Sequence, residues 1–222
     1  MIRQHKKMIL LTSIITLFPI FIGLLLWNQL PDSLATHWGI NNEPNGYASK
    51  TFAVFGLPLI MLLGHAVSVI AMNIDPKVKN ISEKVYFVIL WIIPLLSLFI
   101  CNVLYGYNLG FQLDMGFLCG LMIGVFYLIL GNFIPKVKPN YTIGFRISWA
   151  LCDPENWYRT HRFGGKCMVI GGIIMIVTAP FQNMWILIAL ILVPCILPVI
   201  YSYLYYPVSY THLRAHETDQ YL

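Results

Sequence analysis

Long uninterrupted apolar runs constrain this chain more than any other feature. Met8 to Trp27, Phe52 to Met72, Val85 to Tyr105 and Leu113 to Ile134 are almost free of charge. About 20 such residues in a helix cross a hydrocarbon core about 30 Å thick. Cys167 to Pro180 and Met184 to Tyr206 add two further runs. The fifth is short and is predicted to borrow residues from Phe163 to Lys166. Composition agrees: 58% of the 222 residues are hydrophobic and 10% are charged, against about 25% charged in soluble domains. Mean hydropathy is +0.71. The expectation is an all-α integral membrane protein, a six-helix transmembrane bundle. The first run exceeds the roughly 7–15 residues of a signal-peptide core, and no small-x-small site follows Trp27, so it is read as a retained span.

Basic residues orient such a bundle, because cytoplasmic loops carry the excess of Lys and Arg. The N-terminus holds Arg3, Lys6 and Lys7, the second loop Lys77, Lys79 and Lys84. The fourth loop holds Lys136, Lys138, Arg146, Arg159, Arg162 and Lys166. The intervening loops hold Lys50 and no other cation. This alternation predicts six spans with both termini in the cytoplasm. The net charge of +5 therefore reads as topology, with lipids as the partner and no direct nucleic-acid contact. The five cysteines, Cys101, Cys119, Cys152, Cys167 and Cys195, show neither a disulfide framework nor a zinc pattern.

Inside the spans, Gly116, Gly120 and Gly124 fall on one face of the fourth helix, a spacing that lets helix backbones approach closely. His65 is the ionisable group deep within a span, and such residues are functional candidates by default. A hydrogen-bonded packing role competes with a proton or metal role. The glycine face, six helices and His65 together make a small-molecule or lipid transporter the rival reading.

Two polar segments interrupt the apolar pattern. Residues 28–51 contain Pro31, Gly39, Pro44 and Asn45-Gly46, and predict a turn-rich outer loop with His37 and Trp38 near the membrane surface. Residues 135–166 carry eight of the 23 charged residues. Their second half predicts a short surface helix: Asp153 is a good N-cap, Pro154 suits the first position, and Gly164-Gly165 reads as the stop. Trp157 and His161 share a face of it. Its aromatics and arginines suit the headgroup layer, while a docking face for another protein is the competing reading. Cys152, Thr160 and His161 could be drawn as a nucleophile set, but no orienting acid accompanies them. No H-E-x-x-H, phosphate-binding Gly loop or acidic metal cluster occurs, so neither an enzyme nor a cofactor is expected.

The strings "GNFIPKVKPNYTIGFRISW" and "NWYRTHRFGGK" resemble the signature of the SdpI family, membrane immunity proteins that protect against a secreted toxin. The matching positions are Gly131, Asn132, Pro135, Pro139, Asn140, Gly144, Arg146, Trp149, Trp157, Thr160, His161, Arg162, Gly164 and Gly165. Ser148 departs from the family, which commonly has proline there. The outer loop resembles a domain of unknown function that often precedes this module, through Leu30, Pro31, His37, Trp38, Gly46 and Lys50. The resemblance implies resistance to a secreted peptide toxin in a bacterial cell membrane. It also implies a receptor role that holds a cytoplasmic transcriptional repressor at the membrane. It divides the chain into a two-span module (1–84, outer loop 28–51), an SdpI-like module (85–206, signature loop 135–166) and a tail (207–222). Within the tail, "VSYTHLRAHET" looks like a translated sequencing-library adapter and is assigned no function.

The charge pattern predicts the outcome of reporter fusions. Alkaline phosphatase, active only outside the cytoplasm, should be active when inserted within 28–51 and inactive within 135–166. The reverse pattern would invert the topology.

Overall fold

Lipid offers the backbone no hydrogen-bonding partner, so each apolar run must satisfy its own N–H and C=O groups as a helix. The computed structural model describes residues 2–181 and 183–219. The long helices are α1 (Ile2–Leu25), α2 (Leu57–Ile74), α3 (Glu83–Asn108) and α4 (Met115–Phe133), then α6 (Pro154–Thr178) and α7 (Met184–Asp219); a short α5 (Ser148–Cys152) precedes α6. A π-helical turn, Phe52–Gly56, leads into α2. Among the described residues six helices are long and apolar enough to cross a membrane, from Gln4–Leu25 through to Trp185–Tyr206. The backbone of α7 stays helical into the adapter-like tail as far as Asp219, and residues 220–222 lie outside the described part.

Residues 28–51 fold differently from the expected turn-rich loop. It is an antiparallel hairpin of β1 (Ser33–Trp38) and β2 (Pro44–Ser49), paired from Ser33–Ser49 to Trp38–Pro44. The chain reverses at Gly39 to Glu43, closed by the Gly39 N–H on the Glu43 carbonyl (2.8 Å) and by Asn42 at φ 60°. Asn tolerates that left-handed conformation better than most residues. Asn45-Gly46, the expected turn, lies inside β2 instead. Gly46 is needed there because a Cβ would fall 2.9 Å from the His37 Cβ across the pair.

The chain divides into two compact units, Met1–Ile74 with Glu83–Leu118, and Asp75–Ser82 with Cys119–Leu222. Packing thus draws the boundary differently from the motif-based modules, since α3 joins α1 and α2. In the first unit the hairpin residue Leu34 and Leu30 are buried with Ala53, Val54, Cys101, Leu104 and Tyr105. Polar contacts tie these helices where apolar contact alone does not discriminate partners. The Ser97 hydroxyl donates to the Thr16 carbonyl (2.8 Å), and Thr12 Oγ1 meets His65 Nε2 (3.0 Å).

In the second unit, glycines set the helix spacing. Gly124 and Gly172 face each other so closely that a Cβ on Gly172 would lie 2.7 Å from the Gly124 carbonyl oxygen. Gly131 and Gly165 repeat the arrangement at 2.7 and 2.6 Å from each other's carbonyls. On the neighbouring face of α6, Gly164 and Gly171 receive Pro198 and Pro194 of α7. Each glycine pair repeats after seven residues, which returns a helix to nearly the same face. The expected stop at Gly164-Gly165 is therefore no stop. α6 runs unbroken through it, and the short surface helix and the short fifth span are one element, within a candidate span of Pro154–Phe181.

The glycine contacts rank substitutions. Gly165→Ala meets backbone that cannot step aside and should cost about 1–3 kcal/mol, the range for overpacking. Gly116→Ala meets only the Asp114 carboxylate at 3.4 Å and should leave stability unchanged or slightly raised, since Ala is the better helix former. Thermal unfolding in detergent would test the pair; equal midpoints would refute the packing role.

Candidate functional site

The signature residues converge around the N-terminal half of α6. Asp153 caps that helix, its Oδ1 accepting from the Glu155 and Asn156 N–H groups (2.9 and 3.2 Å), with Pro154 at the first position. The cap is the one the sequence predicts, but the helix it starts is not a surface helix on its inner face. Trp157, Thr160 and His161 are fully buried. The Trp157 and His161 rings stack with centroids 4.0 Å apart, and Trp157 Nε1–H donates to the Val137 carbonyl (2.8 Å).

His161 has no free nitrogen. The Phe145 N–H donates to Nε2 (3.1 Å), so the proton sits on Nδ1 and is donated to the Trp157 carbonyl (2.8 Å). Each partner can only donate or only accept, which fixes the tautomer. Gly144, at φ +109°, brings that amide to the ring, and a Cβ there would collide with Nε2. Thr160 donates its hydroxyl proton to Asn156 Oδ1 (2.9 Å), and Cys152 is exposed. The drawn nucleophile set of Cys152, Thr160 and His161 is thus not assembled in this geometry.

A second layer ties α6 to α7. Asn156 Oδ1 accepts from Thr160 and from the Ser202 hydroxyl (2.7 Å), its Nδ2 donates to the Ser202 carbonyl (3.1 Å), and Trp149 Nε1–H donates to Ser202 Oγ (3.1 Å). A third layer folds the preceding loop. Asn140, fully buried, accepts from the Thr142 and Ile143 N–H groups and donates to the Lys138 and Ile143 carbonyls. Pro139 offers its carbonyl to Asn80 Nδ2 (2.7 Å), while Pro135 packs on Gly165. Asp75 closes the far side: Oδ2 accepts from the Tyr141 N–H (2.9 Å) and Thr142 hydroxyl (2.6 Å), Oδ1 from the Lys77 N–H (2.7 Å). A buried carboxylate needs such partners.

The outward side is basic. Arg146, Arg162, Lys138 and Lys166 are exposed, as is Asn132. Arg159 pairs with Glu155 (2.6 Å) and lies over the Tyr205 ring (5.0 Å). α6 is about 38 Å long at 1.5 Å per residue, longer than a hydrocarbon core, so its charged first turns have room beyond the lipid tails. Sequence reading missed Asn156, Ser202 and Asp75. Asn156 and Thr160 stand four apart on one helix face, a signal that could have found the first. Ser202 and Asp75 are distant in sequence and carry no local sign.

The outer-loop motif serves the hairpin in the first unit. The Ala35 N–H and carbonyl both bond the Asn108 amide (2.8 and 3.0 Å), which covers the outer edge of β1. Trp38 meets Tyr107 edge-on at 5.0 Å, and His37 Nδ1 bonds Asn45 Oδ1. Lys50 ties the base, reaching the Trp27 carbonyl (3.2 Å) and Asp32 (3.1 Å). Pro31 is exposed. His65 is buried, with Thr12 on Nε2 and, among the described residues, no hydrogen-bond partner on Nδ1. Of the glycine triplet, Gly120 faces Ala179 and Gly124 faces Gly172 and Ile176, whereas a Cβ on Gly116 would meet only the Asp114 carboxylate among the described residues.

These features define a multi-pass helical membrane protein with a buried polar platform at the base of α6. Residues 136–202 match the SdpI/YfhL protein family, and residues 14–62 match DUF1648, a domain of unknown function. The Immunity protein SdpI of Bacillus subtilis (strain 168) is 27% identical over 205 residues, 89% of this chain and 95% of that protein. The likeness to the SdpI family drawn from the motif is thereby shown. No solved structure matches the chain significantly. The family match ends at Ser202, the residue that closes the platform against Asn156 and Trp149.

Removing Asn156 would leave the buried hydroxyls of Thr160 and Ser202 short of an acceptor. Asn156→Ala should destabilise by about 1–3 kcal/mol, whereas Arg159→Ala, at an exposed ion pair, should leave the unfolding midpoint unchanged. A midpoint for Asn156→Ala equal to that of the unmutated protein would show that the platform is not held this way.

Proposed function

We propose that this protein protects the membrane of its cell against a secreted peptide toxin. The observation that carries the reading is the similarity to Immunity protein SdpI along most of both chains, with Asn140, Trp157, Thr160, His161, Gly164 and Gly165 of the signature buried in one platform. In this reading both termini are cytoplasmic, the hairpin and outer helix ends meet the toxin or shield the membrane, and the platform lies inside. The platform then presents Arg159, Arg162 and Lys166 to a cytoplasmic partner, a transcriptional repressor, and so reports the encounter. The hydrogen-bonded platform supports this reading, since it fixes the helix face from which these cations project.

Expression in a toxin-sensitive strain, challenged with a panel of secreted membrane-active peptides, tests the proposal. Survival should rise for at least one toxin and fall back in Gly144→Ala. Neutralising Arg159, Arg162 and Lys166 should abolish partner recovery in a cross-linking pull-down while protection persists. Unchanged killing across the panel would sink the immunity reading.

A further inference from the structure

The segment Asp75–Ser82 and the loop after α4 meet at a cluster of cations without carboxylate partners. The Lys77 ammonium lies over the Tyr141 ring, 5.1 Å from its centroid, and Arg146 Nη1 donates to the Tyr141 carbonyl (3.3 Å). Two cations are thus held on one residue. Lys79 and Lys138 are the chain neighbours of Asn80 and Pro139, which bond each other at 2.7 Å. Lys79, Lys138 and Arg146 are exposed. Asp75 is the one acidic residue in 75–82 or 136–149, and it is 5% exposed, with three donors on its two oxygens. None of the four cations forms a salt bridge among the described residues.

The position of this cluster decides what can neutralise it. Asp75 directly follows Ile74, where the Phe52–Ile74 span ends, and the Met115–Lys136 span ends two residues before Lys138. Lys77, Lys79 and Lys138 follow the ends of these candidate spans by five residues or fewer, and Arg146 is tied back to Tyr141, which puts the cations near headgroup depth whichever way the protein faces. Tyr141, half exposed, carries the amphipathic ring favoured at that depth. A phosphate diester supplies unprotonated oxygens to which Lys offers a point charge and Arg a planar fork.

We propose that Lys77, Lys79, Lys138 and Arg146 form a binding site for the phosphate of an anionic phospholipid such as phosphatidylglycerol. Lipid fits better than a protein partner because the cations flank span ends and rest on an interfacial tyrosine. An occupied site would hold the α2–α3 connector and the signature loop together, as Asp75 does from beneath.

The full chain would be placed in nanodiscs of phosphatidylcholine, with and without phosphatidylglycerol, and followed by thermal unfolding and by lipid retention in native mass spectrometry. Phosphatidylglycerol should raise the midpoint and be retained selectively. Each change among Lys77→Gln, Lys79→Gln, Lys138→Gln and Arg146→Gln should weaken retention about fivefold, the ratio equivalent to about 1 kcal/mol per basic residue. Lys84→Gln with Lys166→Gln should weaken it less. Lys79→Gln and Lys138→Gln, both exposed, keep the test open where a combined variant fails to fold. Equal retention by the cluster variants would overturn the site. So would an equal shift from inorganic phosphate in phosphatidylcholine alone, which assigns the cations to the free ion. A cytoplasmic protein captured through these four residues, without lipid preference, would overturn it in favour of a protein partner.

Discussion

The closeness of α6 to its neighbours is the constraint on which the second unit depends. In lipid, helices gain little from burying apolar surface against each other, because the tails are as apolar as leucine. What holds them is contact and hydrogen bonding. α6 provides both along its length: Gly165 and Gly172 admit the backbone of α4, and Gly164 and Gly171 admit the proline rings of α7. Only after that approach can Asn156 reach Ser202 and Trp157 reach Val137.

The polar platform follows from the same geometry. Its side chains are buried where unsatisfied groups are costly, and almost every donor has a defined acceptor. His161 illustrates the result. Its ring is stacked on Trp157, its tautomer is fixed by two backbone groups, and its Nε2 is available to the Phe145 amide only because Gly144 has no side chain. The histidine that looked most like a reactive group is a strut. Charge is left to the outer side, on residues such as Arg146, Arg162 and Lys166 that the platform positions but does not bury.

Much of the fold was legible because lipid removes alternatives. Six apolar runs could be little other than helices, and the Asp153-Pro154 cap marked the start of α6 with local chemistry alone. The hairpin was less legible. Residues 33–49 lack clean alternation, and the Asn45-Gly46 pair pointed to a turn that lies elsewhere, at Gly39 to Glu43. The Gly164-Gly165 pair misled for a related reason. Glycine marks both helix ends and close helix contacts, and a local reading took the first meaning. The repeat of the pair at Gly171-Gly172 carried the second.

The sequence by itself determined the membrane class, the number of spans and the motif that links the chain to the SdpI family, because hydropathy and cap chemistry act over a few neighbouring residues. Tertiary structure alone decided which helices touch and what the signature residues do there. Asp75 meets Thr142 across 67 positions and Asn156 meets Ser202 across 46. Such pairings arise only when glycine-lined helices have closed on one another, and no local pattern encodes them.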